Sequence, residues 1–74
     1  MKLNKKQAEY INDILNIKFD INTDLNKMDL YEANDVIEAL EVRLMEKGFD
    51  ANYEPTTDGL MCESILDVFG EVEI

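Results

Sequence analysis

The chain has 74 residues, seven lysines and arginines against 17 aspartates and glutamates, no histidine and one cysteine, for a net charge of −10. Such a chain holds one modest core and no internal disulfide, and a zinc site would have only Cys62 and carboxylates to draw on. The longest run of large apolar residues, Leu60-Met61-Cys62, is far short of the roughly 20 residues that span a bilayer, and the acidity opposes direct nucleic-acid binding, where phosphate neutralisation dominates.

The apolar periodicity predicts an all-α fold, a small compact three-helix domain covering residues 1–74. The start MKLNKK is basic, but the following QAEYINDILN is too polar for a signal-peptide core, so a cytoplasmic chain beginning at Met1 is expected. The first helix is predicted over about 5–18 with Asn4 as N-cap. Ala8, Ile11, Ile14 and Leu15 fall on one side of it, Phe19 extends that side, and Tyr10 and Ile17 widen it. The second helix is predicted over about 30–47. Asp29 and Glu32 have the spacing of a capping box, and Met28 and Ala33 that of a weak hydrophobic staple. Its core stripe is Ala33, Val36, Ile37, Leu40 and Leu44; Gly48 is expected to end it in the left-handed conformation, with Phe49 folding back on the last turn. DANYEPTT then reads as a loop, and Pro55 holds Glu54 extended. Thr57 or Asp58 is expected to cap a third helix over about 58–69, which Gly70 ends. Cys62, Ile65, Leu66 and Phe69 form its buried side, with Met61 and Val68 at the edge. The tail EVEI is too short to classify.

Between the first two helices, Asp20, Asn22 and Asp24 resemble the opening of a calcium-binding helix–loop–helix site. The resemblance covers five residues. Leu25 stands where a sharp turn normally needs glycine, Met28 occupies the ninth position, and Tyr31 replaces the bidentate glutamate, which arrives one residue late as Glu32. Asp and Asn at these positions are what a turn between helices requires, because their side chains accept local backbone donors. The stretch is therefore expected to be a turn, with a cation-responsive regulator as the weakest functional alternative. The Asp-x-Asn-x-Glu of Asp50, Asn52 and Glu54 is expected to be a turn for the same reason, with Pro55 following at once.

Nothing in the sequence assembles a reaction. Ser64, the only serine, is predicted to face solvent, Cys62 lies on an apolar side where burial makes a thiol inert, and no histidine is present as a base. Carboxylate pairs such as Asp35 and Glu38 read as a solvated helix face. No catalytic site, metal site or cofactor is expected.

One face does not fit a helix that is polar on its outer side. On a wheel of about 100° per residue the core stripe of the second helix fills roughly 120°. Tyr31, Val42 and Met45 fall opposite it, and with Asp35 and Glu38 they form a ridge in steps of four and three. Tyrosine and methionine are enriched in interface cores, and acids around them suit a basic partner. Tyr53 and Phe49 in the following loop are placed to extend the ridge.

The charge is also uneven. Residues 1–18 carry four lysines against Glu9 and Asp13, net +2, so the remainder of the chain is net −12. In size and charge the chain is similar to the small acidic helical proteins of bacteriophages and mobile elements, some of which inhibit host defence nucleases by occupying nucleic-acid-binding surfaces. That similarity implies a non-catalytic protein that engages a basic protein surface, as a nucleic-acid mimic does. The alternative is a dimeric adaptor or assembly module, self-associating through the ridge.

Overall fold

Three helices and a 3-10 turn follow one another along the chain: α1 (Lys5–Asp13), the turn (Leu25–Lys27), α2 (Leu30–Lys47) and α3 (Thr57–Glu71). The computed structural model describes residues 1–72, and the last two residues of the EVEI tail lie outside it. The described residues contain no strand, only an isolated antiparallel bridge between Phe49 and Pro55. The all-α three-helix class is as the periodicity predicts. No helix among the described residues is long and apolar enough to cross a membrane.

α1 begins where expected and ends early. The Gln7 N–H donates to Asn4 Oδ1 at 2.8 Å and Gln7 Oε1 accepts the Asn4 N–H at 3.0 Å, a complete capping box. The helix stops at Asp13 rather than near Lys18, because Asn16 takes a left-handed φ of 56°. Asparagine tolerates that conformation better than other side chains bearing a Cβ. The Ile17 N–H then reaches back to the Ile11 carbonyl at 3.1 Å and closes the end. Asn12 holds the returning chain: its Nδ2 donates to the carbonyls of Ala8 (2.9 Å) and Phe19 (2.7 Å), and its Oδ1 accepts the Phe19 N–H (2.9 Å). One side chain thus satisfies both backbone groups of buried Phe19.

The stretch 20–28 is a pair of local turns, as its Asp and Asn content predicts. Asp20 Oδ1 accepts the Asn22 N–H at 2.8 Å, and Asp24 Oδ1 accepts both the Asn26 N–H at 3.1 Å and the Met1 ammonium at 2.9 Å. The Met1 ammonium, and then the Asn26 N–H, hold the Asp24 carboxyl below the usual carboxylate range. Among the described residues, no group of three or more acids and cysteines is gathered to hold a metal ion.

α2 is capped by Asp29, but its Oδ1 accepts from the Tyr31 N–H at 2.8 Å rather than from Glu32 as the expected box requires. At the other end Gly48 has φ −77°, right-handed, and not the left-handed stop anticipated from its type. What ends α2 is the clasp that follows. The Thr56 N–H donates to the Gly48 carbonyl (2.9 Å), the Asp50 N–H to the Glu54 carbonyl (2.9 Å), and Asp50 Oδ1 accepts the N–H groups of Asn52 and Glu54. Phe49 consequently bridges to Pro55 and stays exposed instead of folding back.

α3 is capped by Thr56, one residue before Thr57 and two before Asp58, the two expected caps. The Thr56 Oγ1 accepts the Gly59 N–H at 3.0 Å and donates to the Lys47 carbonyl at 2.6 Å, tying the start of α3 to the end of α2. Gly70 does not stop the helix, which continues to Glu71. α2 and α3 form the main helix pair, and a Cβ on Gly59 would collide with the Gly48 carbonyl oxygen.

The core holds Ala8, Ile11, Phe19, Val36, Leu40, Cys62, Ile65 and Phe69, as the periodicity requires. It also takes in Leu3 and Leu25, on either side of the first helix–turn unit, which have no helical period to announce them. Ile14 is the reverse case. The break at Asn16 leaves it exposed rather than in the core. Ser64 is half-buried, not solvent-facing: its Oγ donates to the Met61 carbonyl at 2.8 Å and accepts from Gln7 Nε2 at 3.3 Å.

Candidate functional site

The outer side of α2 is built by its own period. With Val36 and Leu40 in the core, Tyr31, Asp35, Glu38, Val42 and Met45 point outward, and all five are exposed. Tyr31 and Met45 are 80% and 85% exposed, which is extreme for side chains of their size. Tyr53 is 87% exposed, held out by a left-handed φ of 62° in the 50–54 turn, a conformation that costs a tyrosine about 1–2 kcal/mol.

The structure joins part of this ridge to a feature the sequence does not announce. Asp35, Glu38 and Val42 form one wall of an open groove of about 420 Å³, together with Ala39, Arg43 and Glu46. Ile14 and Leu15, from the turn that ends α1, form the other wall. Tyr31 and Met45 lie outside the lining, as does Tyr53 on its separate turn. The groove is apolar where Ile14 (46% exposed) faces Val42 (47% exposed), and acidic at Asp35, Glu38 and Glu46. No pattern of local spacing would have found Ile14, since its position depends on where α1 stops.

Arg43, the one cation in that lining, is engaged elsewhere. Its Nη2 donates to Asp58 Oδ1 at 3.2 Å, and the same oxygen accepts from the Tyr10 hydroxyl at 2.8 Å. The Tyr10 oxygen also lies 3.5 Å from buried Cys62 Sγ. Burial and then the bonds to Cys62 and Asp58 push the Tyr10 hydroxyl well above its ordinary value. The Tyr10 bond first, then Arg43, hold the Asp58 carboxyl below the carboxylate range. The node joins all three helices and bears on stability.

Its pH dependence has a defined sign. A depressed carboxyl stabilises the fold above its unfolded pKa, about 3.9, and that contribution is lost as pH falls through the lower folded value. A raised phenol contributes below its unfolded value of 10.0 and loses that contribution as pH rises through the higher folded one. Tyr10→Phe is therefore expected to flatten both limbs of a stability–pH curve from urea titrations, the acid limb below about pH 4 more clearly. An acid limb as steep as in the wild type would place the bond elsewhere.

No family model matches the chain, and neither the comparison with curated proteins nor that with solved structures finds a match.

Proposed function

We propose that this is a non-catalytic binding protein of the cytoplasm, whose acidic surface engages a basic surface of another protein in the manner of a nucleic-acid mimic. The observation that supports it is charge left without internal neutralisation. Among the described residues, ion pairs take up only Glu9, Asp24 and Asp58 of 16 acids, one of them through the chain's own ammonium. On α2 and its cap, Asp29, Glu32, Asp35, Glu38, Glu41 and Glu46 are all exposed. Along the helix axis these six span roughly 26 Å and wind around it. Glu32, Asp35, Glu38 and Glu46 fall within about 120° of one another, so a basic patch shaped for phosphates meets these four together.

The test is capture of a host protein by the tagged chain, followed by release. Captured protein should be displaced as salt rises from about 0.05 to 0.2 M and by a short DNA duplex. Glu38→Lys with Glu41→Lys should slow its association. Capture indifferent to salt, duplex and charge reversal would refute the reading.

A second reading, self-association through the ridge, is favoured by the exposure of Tyr31, Val42 and Met45. Val42→Lys with Met45→Lys should then convert a dimer to a monomer in light scattering without loss of helicity. A wild type that is monomeric at high concentration rules this out.

A further inference from the structure

We infer that the groove between the α1 turn and α2 seats one face of a basic amphipathic helix from a partner protein. This rests on the acidic-binding reading and adds to it a location and a partner shape. Four observations converge on the groove. Ile14 and Val42 leave apolar surface on opposite walls, about half exposed each, with Ala39 between them in the lining. Along the α2 wall, Asp35 and Glu38 precede that surface and Glu46 follows it, three exposed carboxylates. The one cation of the lining, Arg43, is bound to Asp58 and does not neutralise them. From Asp35 to Glu46 the α2 wall runs about 16 Å, the length of three helical turns.

Such a site matches a helix with apolar anchors three or four residues apart and lysine or arginine on either side of them. The apolar stripe would bury against Ile14, Ala39 and Val42, and the flanking cations would meet the carboxylate rim, where opposite charge chiefly speeds encounter and fixes register. An extended basic strand would match the charge but would place alternate side chains away from the floor. A second copy of the chain is disfavoured, because each copy brings a net charge of −10 to the contact.

The probe is a synthetic helical peptide of about 14 residues made of leucine and lysine with leucines at helical spacing, and a shuffled peptide of the same composition without the stripe. Fluorescence anisotropy at about 0.15 M salt should show the striped peptide binding at least about tenfold more tightly, the effect of burying an apolar anchor. Methyl chemical shifts of the unmodified protein should move at Ile14, Ala39 and Val42. Ile14→Ser with Val42→Asn, both at exposed positions, should reduce the striped peptide to the level of the shuffled one while helicity is unchanged. Glu63→Lys with Asp67→Lys, on the exposed side of α3, should change its affinity by no more than about twofold. Equal binding of the two peptides, with shifts scattered over all three helices, would overturn the groove and leave the acidic-surface reading standing. Failure of both peptides to bind even at low salt would overturn the two together. A wild-type dimer that Ile14→Ser with Val42→Asn dissociates would show that a second copy covers the groove, and would overturn the partner helix.

Discussion

Leu40→Ala is expected to lower the unfolding free energy by about 2–5 kcal/mol, the range for emptying a leucine-sized volume in a core that cannot fully collapse. Leu40 is fully buried at the middle of α2, on the side that packs against α3, and is among the largest side chains with no accessible surface. Cores of this size supply roughly 3–5 kcal/mol in total. The variant should therefore be largely unfolded at room temperature, visible by circular dichroism without denaturant and as a loss of the cooperative urea transition. A change below about 1 kcal/mol would mean that the inner and outer faces of α2 are exchanged, and with them the position of the groove.

Gly59→Ala is the second large effect, and its sign is opposite to the usual one. In an ordinary helix, replacing glycine by alanine gains about 0.5–1 kcal/mol through backbone entropy. At Gly59 the new methyl would strike the Gly48 carbonyl oxygen and sit 2.9 Å from its carbon and 3.0 Å from its Cα. Backbone cannot rotate aside as a side chain can, so α3 must shift away from α2, at about 1–3 kcal/mol for overpacking. Gly70→Ala supplies the contrast. It lies in the same helix, exposed, with nothing within 4 Å of its would-be Cβ, and should gain about 0.5–1 kcal/mol. In a domain of this length each kcal/mol moves the melting temperature by about 4–8 °C, so the two variants should separate clearly in one thermal-melt experiment. If Gly59→Ala melts at or above the wild type, the close Gly48–Gly59 approach is not required by the fold.

The exposed ridge on α2 was legible because it is the complement of a core stripe: once Val36 and Leu40 turn inward, the helical period sends Tyr31, Asp35, Glu38, Val42 and Met45 outward. The groove was not legible. Its second wall depends on Ile14, whose spacing from Ile11 and Leu15 reads as core and whose position changes because α1 ends at Asp13. The Tyr10–Asp58–Arg43 node escaped for a related reason, since Asp58 looked like a helix cap and Tyr10 like the margin of an apolar face.

The sequence alone determined the three helix bodies, the inward stripe of α2, the burial of Cys62 and the local turns at Asp20 and Asp50, because periodicity and capping act over a few residues of one chain segment. Tertiary structure decided where α1 stops, that Thr56 rather than Thr57 or Asp58 caps α3, that Gly48 stays right-handed, and that Gly59 meets Gly48. Partners outside the helix concerned act in these cases. Phe19 is held by Asn12 where the chain returns after the left-handed Asn16, and the Lys47 carbonyl accepts from the Thr56 hydroxyl. The Gly48 carbonyl accepts the Thr56 N–H, and the backbone of one helix end meets the glycine of another. Such pairs form only when the chain has already folded back on itself, so no local spacing records them.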